Sequence, residues 1–113
     1  MRVSVIGGSS VTDEEYGRAL DVGRLLAECG HSVVCGGRGG VMEAVCRGAR
    51  EKEGHTIGIL PGSHREQANE YVQTAIATGM GNARNPLVVL NGDAAIAIDG
   101  GPGTLSELGH ALD

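Results

Sequence analysis

A doubly wound α/β domain, with a parallel sheet covered by helices on both faces, is the fold class this sequence predicts. Three observations carry that expectation. Short β-branched runs alternate with stretches of helical apolar spacing. Glycine-rich turns at Gly7-Gly8, Gly36–Gly40 and Gly100–Gly103 each follow a strand-like run. The apolar residues include no Phe or Trp, so the core is expected to be Val, Ile, Leu and Ala.

The elements follow in order. Arg2 to Ile6 is a short apolar strand, and Gly7-Gly8-Ser9-Ser10 turns the chain. Thr12 is a good N-cap, and Glu15 three residues later completes a capping box. The helix carries Tyr16, Ala19, Leu20, Val22, Leu25 and Leu26 as apolar positions, reaches Cys29, and stops at Gly30. His31 to Cys35 is the second strand. A helix follows with Val41, Met42, Val45, Cys46 and Ala49 facing inward, ending near Gly54. Thr56 to Leu60 is the third strand. Residues 63–70 are polar and read as a loop with room for one helical turn. Tyr71 to Ala77 is the fourth strand. Pro86 fits only a first turn, so the next helix begins near Asn85. Ala94 to Ile98 is an apolar run that reads as a buried fifth strand, and Leu105, Leu108 and Leu112 mark a last helix.

Strands alternating with helices in this way imply parallel pairing. In such sheets ligands bind outside the carboxyl ends of the strands, where the strand order reverses. All three glycine-rich turns belong at those ends.

At 113 residues the chain is one domain, spanning 1–113. It stops at Asp113, where a doubly wound domain usually adds another strand, so a truncated chain or pairing with another copy is expected. The net charge of −5 comes without any basic stripe, which argues against nucleic acid or a membrane surface as partner. No leader opens the sequence and no apolar run is long enough to span a bilayer, so a cytoplasmic location is expected. Cys29, Cys35 and Cys46 lack metal-ligand spacing and read as small buried hydrophobes in a reducing compartment. The four histidines share no metal spacing either, so no metal site is expected.

The candidate site residues lie in the glycine-rich turns and beside them. Gly100, Gly101 and Gly103 join a strand to a helix N-terminus, where backbone N–H groups and the helix dipole favour an anion. Thr104 adds a hydroxyl donor. Glu107, one turn into that helix, does not help to hold a phosphate, which points to another task. Gly36 to Gly40 is rich in glycine beyond the needs of a plain connection. Gly37, Gly39 and Gly40 would let a ligand approach the backbone, and Arg38 would reach its phosphate or base. The alternative for Arg38 is a surface arginine on a flexible turn. Gly8 and Ser9 form either a phosphate- or ribose-side contact or a simple tight turn. Arg84 would bind a phosphate or orient a ribose beside Glu107, the alternative being an exposed helix arginine. The first turn lacks the full dinucleotide fingerprint, which disfavours a nicotinamide cofactor.

Gly36-Gly37-Arg38-Gly39-Gly40-Val41-Met42, the Arg84-Asn85 pair and Gly100-Gly101-Pro102-Gly103-Thr104-Leu105-Ser106-Glu107 together resemble the LOG proteins. These are Rossmann-like nucleotide-binding proteins once labelled lysine decarboxylases. The family motif is matched at Gly100, Gly101, Gly103, Thr104 and Glu107, while Asp99 stands where that motif has proline. Asp99 and the Arg84-Asn85 pair look more like a branch of short bacterial and archaeal proteins that also resembles molybdenum-cofactor carrier proteins. The resemblance implies a nucleotide-binding protein acting as a nucleoside 5′-monophosphate phosphoribohydrolase, with Arg84 and Glu107 as the catalytic residues. The alternative it implies is a non-catalytic carrier for a phosphorylated cofactor such as molybdopterin. Hydrolysis of this kind requires no cofactor, so a nucleotide or the molybdenum cofactor would be the bound ligand. Relatives of this kind are usually dimers or larger, which implies a homodimer or higher homo-oligomer.

Overall fold

The computed structural model describes residues 1–98. Glu107, Gly100, Gly101, Gly103, Thr104, Asp99 and the last expected helix lie outside the described residues.

The described residues form a five-stranded sheet in which every pairing is parallel. The strands are β1 (Arg2–Gly7), β2 (Ser32–Cys35), β3 (Thr56–Leu60), β4 (Thr74–Ala77) and β5 (Ala94–Ile98). The helices are α1 (Asp13–Glu28), α2 (Val41–Glu51) and α3 (Asn85–Leu90). Short 3₁₀ turns at Arg65–Gln67 and Gly81–Arg84 complete the order. Spatially the strands run β4-β3-β2-β1-β5.

Alternation along the strands sorts the core into two layers. Val3, Val5, Val33 and Cys35 face α1 and α2, where they meet Ala19, Val41, Val45 and Ala49. Ile6, Val34, Ile57 and Ile59 face the other way and pack on Val88 and Val89 of α3. Helices therefore cover both faces, as the sequence predicts. Ser4 falls on the α3 face and is fully buried, and its hydroxyl is satisfied by donating to the Val88 carbonyl at 2.7 Å.

The local expectations hold closely. Thr12 and Glu15 form the reciprocal capping box of α1. Gly30, at φ 81°, ends α1 in the left-handed conformation that a C′ glycine supplies. All five inward positions expected for α2 are buried. Pro86 sits in the first turn of α3.

Four expectations are corrected. Of β5 only Ile98 is buried, because the strand stands at the end of the described sheet, next to β1 alone. Leu25 is 60% exposed. Nine residues past Tyr16, at 3.6 residues per turn, it points about 180° away from that residue and off the packed face. Cys29 is exposed at the end of α1, so only Cys35 and Cys46 behave as buried hydrophobes. β4 begins at Thr74 rather than Tyr71. Asn69 claims the preceding backbone as a turn, its Oδ1 accepting from Tyr71 N at 3.0 Å and its carbonyl from Val72 N at 3.2 Å.

The helix pair α1 and α2 meets backbone to backbone. A Cβ on Gly23 would strike the Val45 carbonyl, and one on Gly48 would strike the Leu20 carbonyl. Two glycines in opposite helices thus let the axes approach at the crossing. Gly48→Ala gains helix propensity worth about 1 kcal/mol, but the obstructing atoms belong to the backbone and cannot swing aside. The expected net effect is a loss of about 1–3 kcal/mol, measured as a lower midpoint in chemical denaturation; an unchanged or higher midpoint contradicts the close crossing.

Candidate functional site

The chain winds from β1 to β4 in one direction and then returns to set β5 on the opposite side of β1. The reversal lies between β1 and β5, and a crevice outside their carboxyl ends is the place such sheets offer a ligand. Gly7, Gly8 and Ser9 leave β1 there, and Gly36 to Gly40 leave β2 beside them.

These two turns touch through their backbones. Val41 N donates to the Gly8 carbonyl at 3.0 Å. Gly40 holds φ 65°, and a Cβ on it would stand 2.6 Å from the Ser9 carbonyl carbon and strike Gly8 O. Gly40 is therefore required twice, by its dihedral and by the space. Gly37, at φ 77°, would press a Cβ to 2.7 Å from Leu60. Asn69 pins the same turn from below, with its N–H donating to Gly37 O and its Nδ2 to Arg38 O, both at 2.8 Å. The backbone at Arg38 is thus fixed while its side chain is exposed. Gly8 and Gly39 differ from their neighbours. A Cβ on either would meet its nearest protein atom only at 3.5 Å and 3.6 Å respectively, so internal packing does not account for glycine at these positions.

Arg84 is not an exposed helix arginine: it is 8% exposed. Its Nε donates to the Ile59 carbonyl at 3.0 Å, which anchors it at the end of β3. Its guanidinium lies over Gly36, where a Cβ would come within 2.7 Å of Nη2 and of the Met42 sulfur. Beneath it, Cys35 and Cys46 stand 3.5 Å apart, sulfur to sulfur. The Cys35 thiol is held below its ordinary range by the hydrogen bond from Cys46, then by the Gly37 N–H and the charge of Arg84, with burial opposing. Cys46 is pushed up by its bond to Cys35 and by burial.

Ser9, Gly36, Asn82, Arg84 and Asn85 line a crevice of about 180 Å³ with Gly7 at its head. A wider depression of about 490 Å³ lies beside it, sharing Ser9, Met42, Asn82 and Arg84 and extending to Arg38 and Gln67. The fold thus brings Ser9, Arg38 and Arg84 to one opening from three distant segments. Sequence reasoning noted Asn85 only as a neighbour of Arg84 and missed Asn82. Their i, i+3 spacing across the arginine was the available signal. Asn69 gave none, since its role depends on where a polar loop folds back. Among the described residues no group of His, Cys, Asp and Glu could hold a metal ion, and no helix is long and apolar enough to cross a membrane.

The SLOG cluster4 family matches this sequence over residues 1–113. The chain belongs to that family. Among solved structures, this SLOG cluster4 member is similar to the molybdenum cofactor binding protein from the phototrophic bacterium Rippkaea orientalis. The two are 42% identical with a TM-score of 0.93, over 98% of this chain and 69% of that one. The molybdenum cofactor carrier protein from Chlamydomonas reinhardtii is 33% identical with a TM-score of 0.90, over 98% and 69%. A probable cytokinin riboside 5′-monophosphate phosphoribohydrolase of Oryza sativa subsp. japonica is 35% identical over 95% of this chain and 46% of its own length. The SLOG cluster4 chain spans about half the length of the curated phosphoribohydrolases it matches. Its branch is LOG-like and resembles the molybdenum cofactor carriers, and its Rossmann-like α/β fold is the fold of those solved structures.

The Gly8–Gly40 contact makes a direct prediction. Gly40→Ala adds both an unfavourable φ and a collision with backbone, so the two turns must separate. The expected outcome is a destabilisation of about 1–3 kcal/mol, with backbone amide shifts in NMR confined to Gly8, Ser9 and residues 36–41. Shifts spread evenly over the sheet contradict this account.

Proposed function

We propose that this chain binds a small phosphorylated heterocycle in the crevice and carries it, the cargo being a phosphorylated pterin such as the molybdenum cofactor. The observation that carries the reading is the pair Gly8 and Gly39, bare where the protein itself leaves room and next in the chain to Ser9 and Arg38, which share one depression with the anchored Arg84. Backbone left open next to arginines suits an anionic group that must come close. Gly37 and Gly40 hold the turn in shape, and Ser9 offers a hydroxyl at the rim. Gly100, Gly101, Gly103 and Thr104, which match the family motif in the sequence, would receive the phosphate itself. The similarity to cofactor-binding proteins at 42% identity supports the carrier over the hydrolase, whose curated relatives stand at 35% and share less of their length.

Hydrolysis is the second reading, and the burial of Arg84 favours it, since a fixed guanidinium is what a catalytic arginine needs. Water would add to the ribose anomeric carbon as the N-glycosidic bond breaks, and the base would leave carrying a proton. Glu107 would stabilise the oxocarbenium character or take the proton from water, and Arg84 would orient the ribose. No added cofactor takes part in that step.

Two further expectations belong to the same reading. The chain acts as a homodimer or higher homo-oligomer without nucleic acid or membrane. The unbridged thiols of Cys35 and Cys46 support a reducing, cytoplasmic setting.

The deciding experiment titrates the protein with molybdopterin and, separately, incubates it with a panel of nucleoside 5′-monophosphates while following free base and ribose 5-phosphate by chromatography. The carrier reading expects saturable pterin binding and no base release. Base release that disappears in Glu107→Gln replaces it with the hydrolase. Neither binding nor release removes both.

A further inference from the structure

Two thiols meet beneath the crevice, and the proposed function uses neither. Cys35 ends β2 and Cys46 lies midway along α2. Both are fully buried and both are free, with their sulfurs 3.5 Å apart. A disulfide bond is about 2 Å long, so the two sulfurs need to close by only about 1.5 Å to bond.

Their surroundings differ. Cys35 Sγ accepts the Gly37 N–H at 3.3 Å and lies within the field of Arg84, two influences that favour a thiolate. Cys46 Sγ has a hydrogen bond from the Asn69 side chain. Cys35 is also the thiol nearer the opening. Gly36, next to it in the chain, lines the crevice, and so does Met42, whose carbonyl is 3.9 Å from Cys35 Sγ. The crevice, at about 180 Å³, admits a molecule as small as hydrogen peroxide.

We propose that Cys35 and Cys46 are an oxidation site for hydrogen peroxide, forming a reversible disulfide that shifts the turn carrying Arg38. The Cys35 thiolate attacks one peroxide oxygen, the O–O bond breaks, and hydroxide leaves and takes up a proton as water. Cys35 is then a sulfenic acid. The Cys46 sulfur attacks the Cys35 sulfur, the S–O bond breaks, and the hydroxyl group leaves as water with the Cys46 proton. The two thiols lose two electrons in all, and the peroxide gains them. Closure draws Cys35 Sγ from Gly37 N and Cys46 Sγ from Asn69. Asn69 is the residue that holds the carbonyls of Gly37 and Arg38, both at 2.8 Å. The disulfide therefore acts on that turn from two sides.

The test uses Cys29→Ser, which replaces an exposed thiol and leaves Cys35 and Cys46. The native variant is treated with hydrogen peroxide at a dose that oxidises Cys29 in the wild type. Thiols are then counted after unfolding. Trypsin cleaves after Arg24, Arg38 and Arg47, so Cys35 and Cys46 fall on separate peptides, 25–38 and 39–47. The expected result is loss of both thiols, a link between these peptides within a single chain on a non-reducing gel, and recovery of both thiols with dithiothreitol. The Gly37 N–H is expected to exchange with solvent about fivefold faster or more in the oxidised protein. Thiols that survive the treatment, a loss that dithiothreitol does not reverse, or a link between two chains overturns the disulfide. A disulfide that leaves Gly37 exchange unchanged overturns its action on the turn.

Discussion

The contact between Gly8 and Gly40 sets the geometry on which the site depends. It joins the turn after β1 to the start of α2 through a backbone hydrogen bond of 3.0 Å, at a separation no side chain would allow. Gly7 extends the constraint, since a Cβ there would stand 2.7 Å from Val41 and 2.8 Å from the Ile98 carbonyl. Three chain segments, β1, β5 and the head of α2, thus converge with almost nothing between their backbones. The polar opening exists because the layers beneath it are closed.

The price of this arrangement falls on Arg84. A guanidinium loses hydration on entering a protein interior, and the loss is tolerated only where hydrogen bonds replace water. The Ile59 carbonyl provides one such bond, and Gly36 leaves the space for the planar group to lie flat against the chain. The thiol of Cys35 responds to the same charge from below. A cation so placed has little conformational freedom. Arg38, exposed on a pinned turn, is its opposite: fixed backbone and a head in solvent.

The fold was legible because its elements are locally consistent. Ala94–Ile98 has the same bounds in both readings, and the Thr12–Glu15 box appears as written in the sequence. The misplacements have both local and nonlocal causes. Leu25 counts as apolar in any linear reading but faces away from α2. Tyr71 to Gln73 have strand composition, yet the adjacent Asn69 turn takes the N–H groups of Tyr71 and Val72, and Thr56, which only folding brings near, takes that of Gln73. At the site, the glycines and both arginines were visible as chemistry. What could not be read was which glycines serve the protein and which do not. Gly37 and Gly40 satisfy dihedrals and packing, Gly8 and Gly39 satisfy neither, and only coordinates separate them. The burial of Arg84 was equally hidden, because it depends on the end of β3, some twenty-five residues earlier.

The three cysteines divide by position. Cys35 and Cys46 are completely enclosed, while Cys29 stands exposed where α1 ends. Because α1 begins near the carboxyl ends of the strands and runs back along the sheet, its last turn lies at the opposite edge from the crevice. Alkylating reagents meet one thiol in the native protein, and it is remote from the opening. A fluorophore attached at Cys29 would therefore tag every molecule once and leave the crevice untouched, which makes the unmodified sequence ready for single-molecule observation.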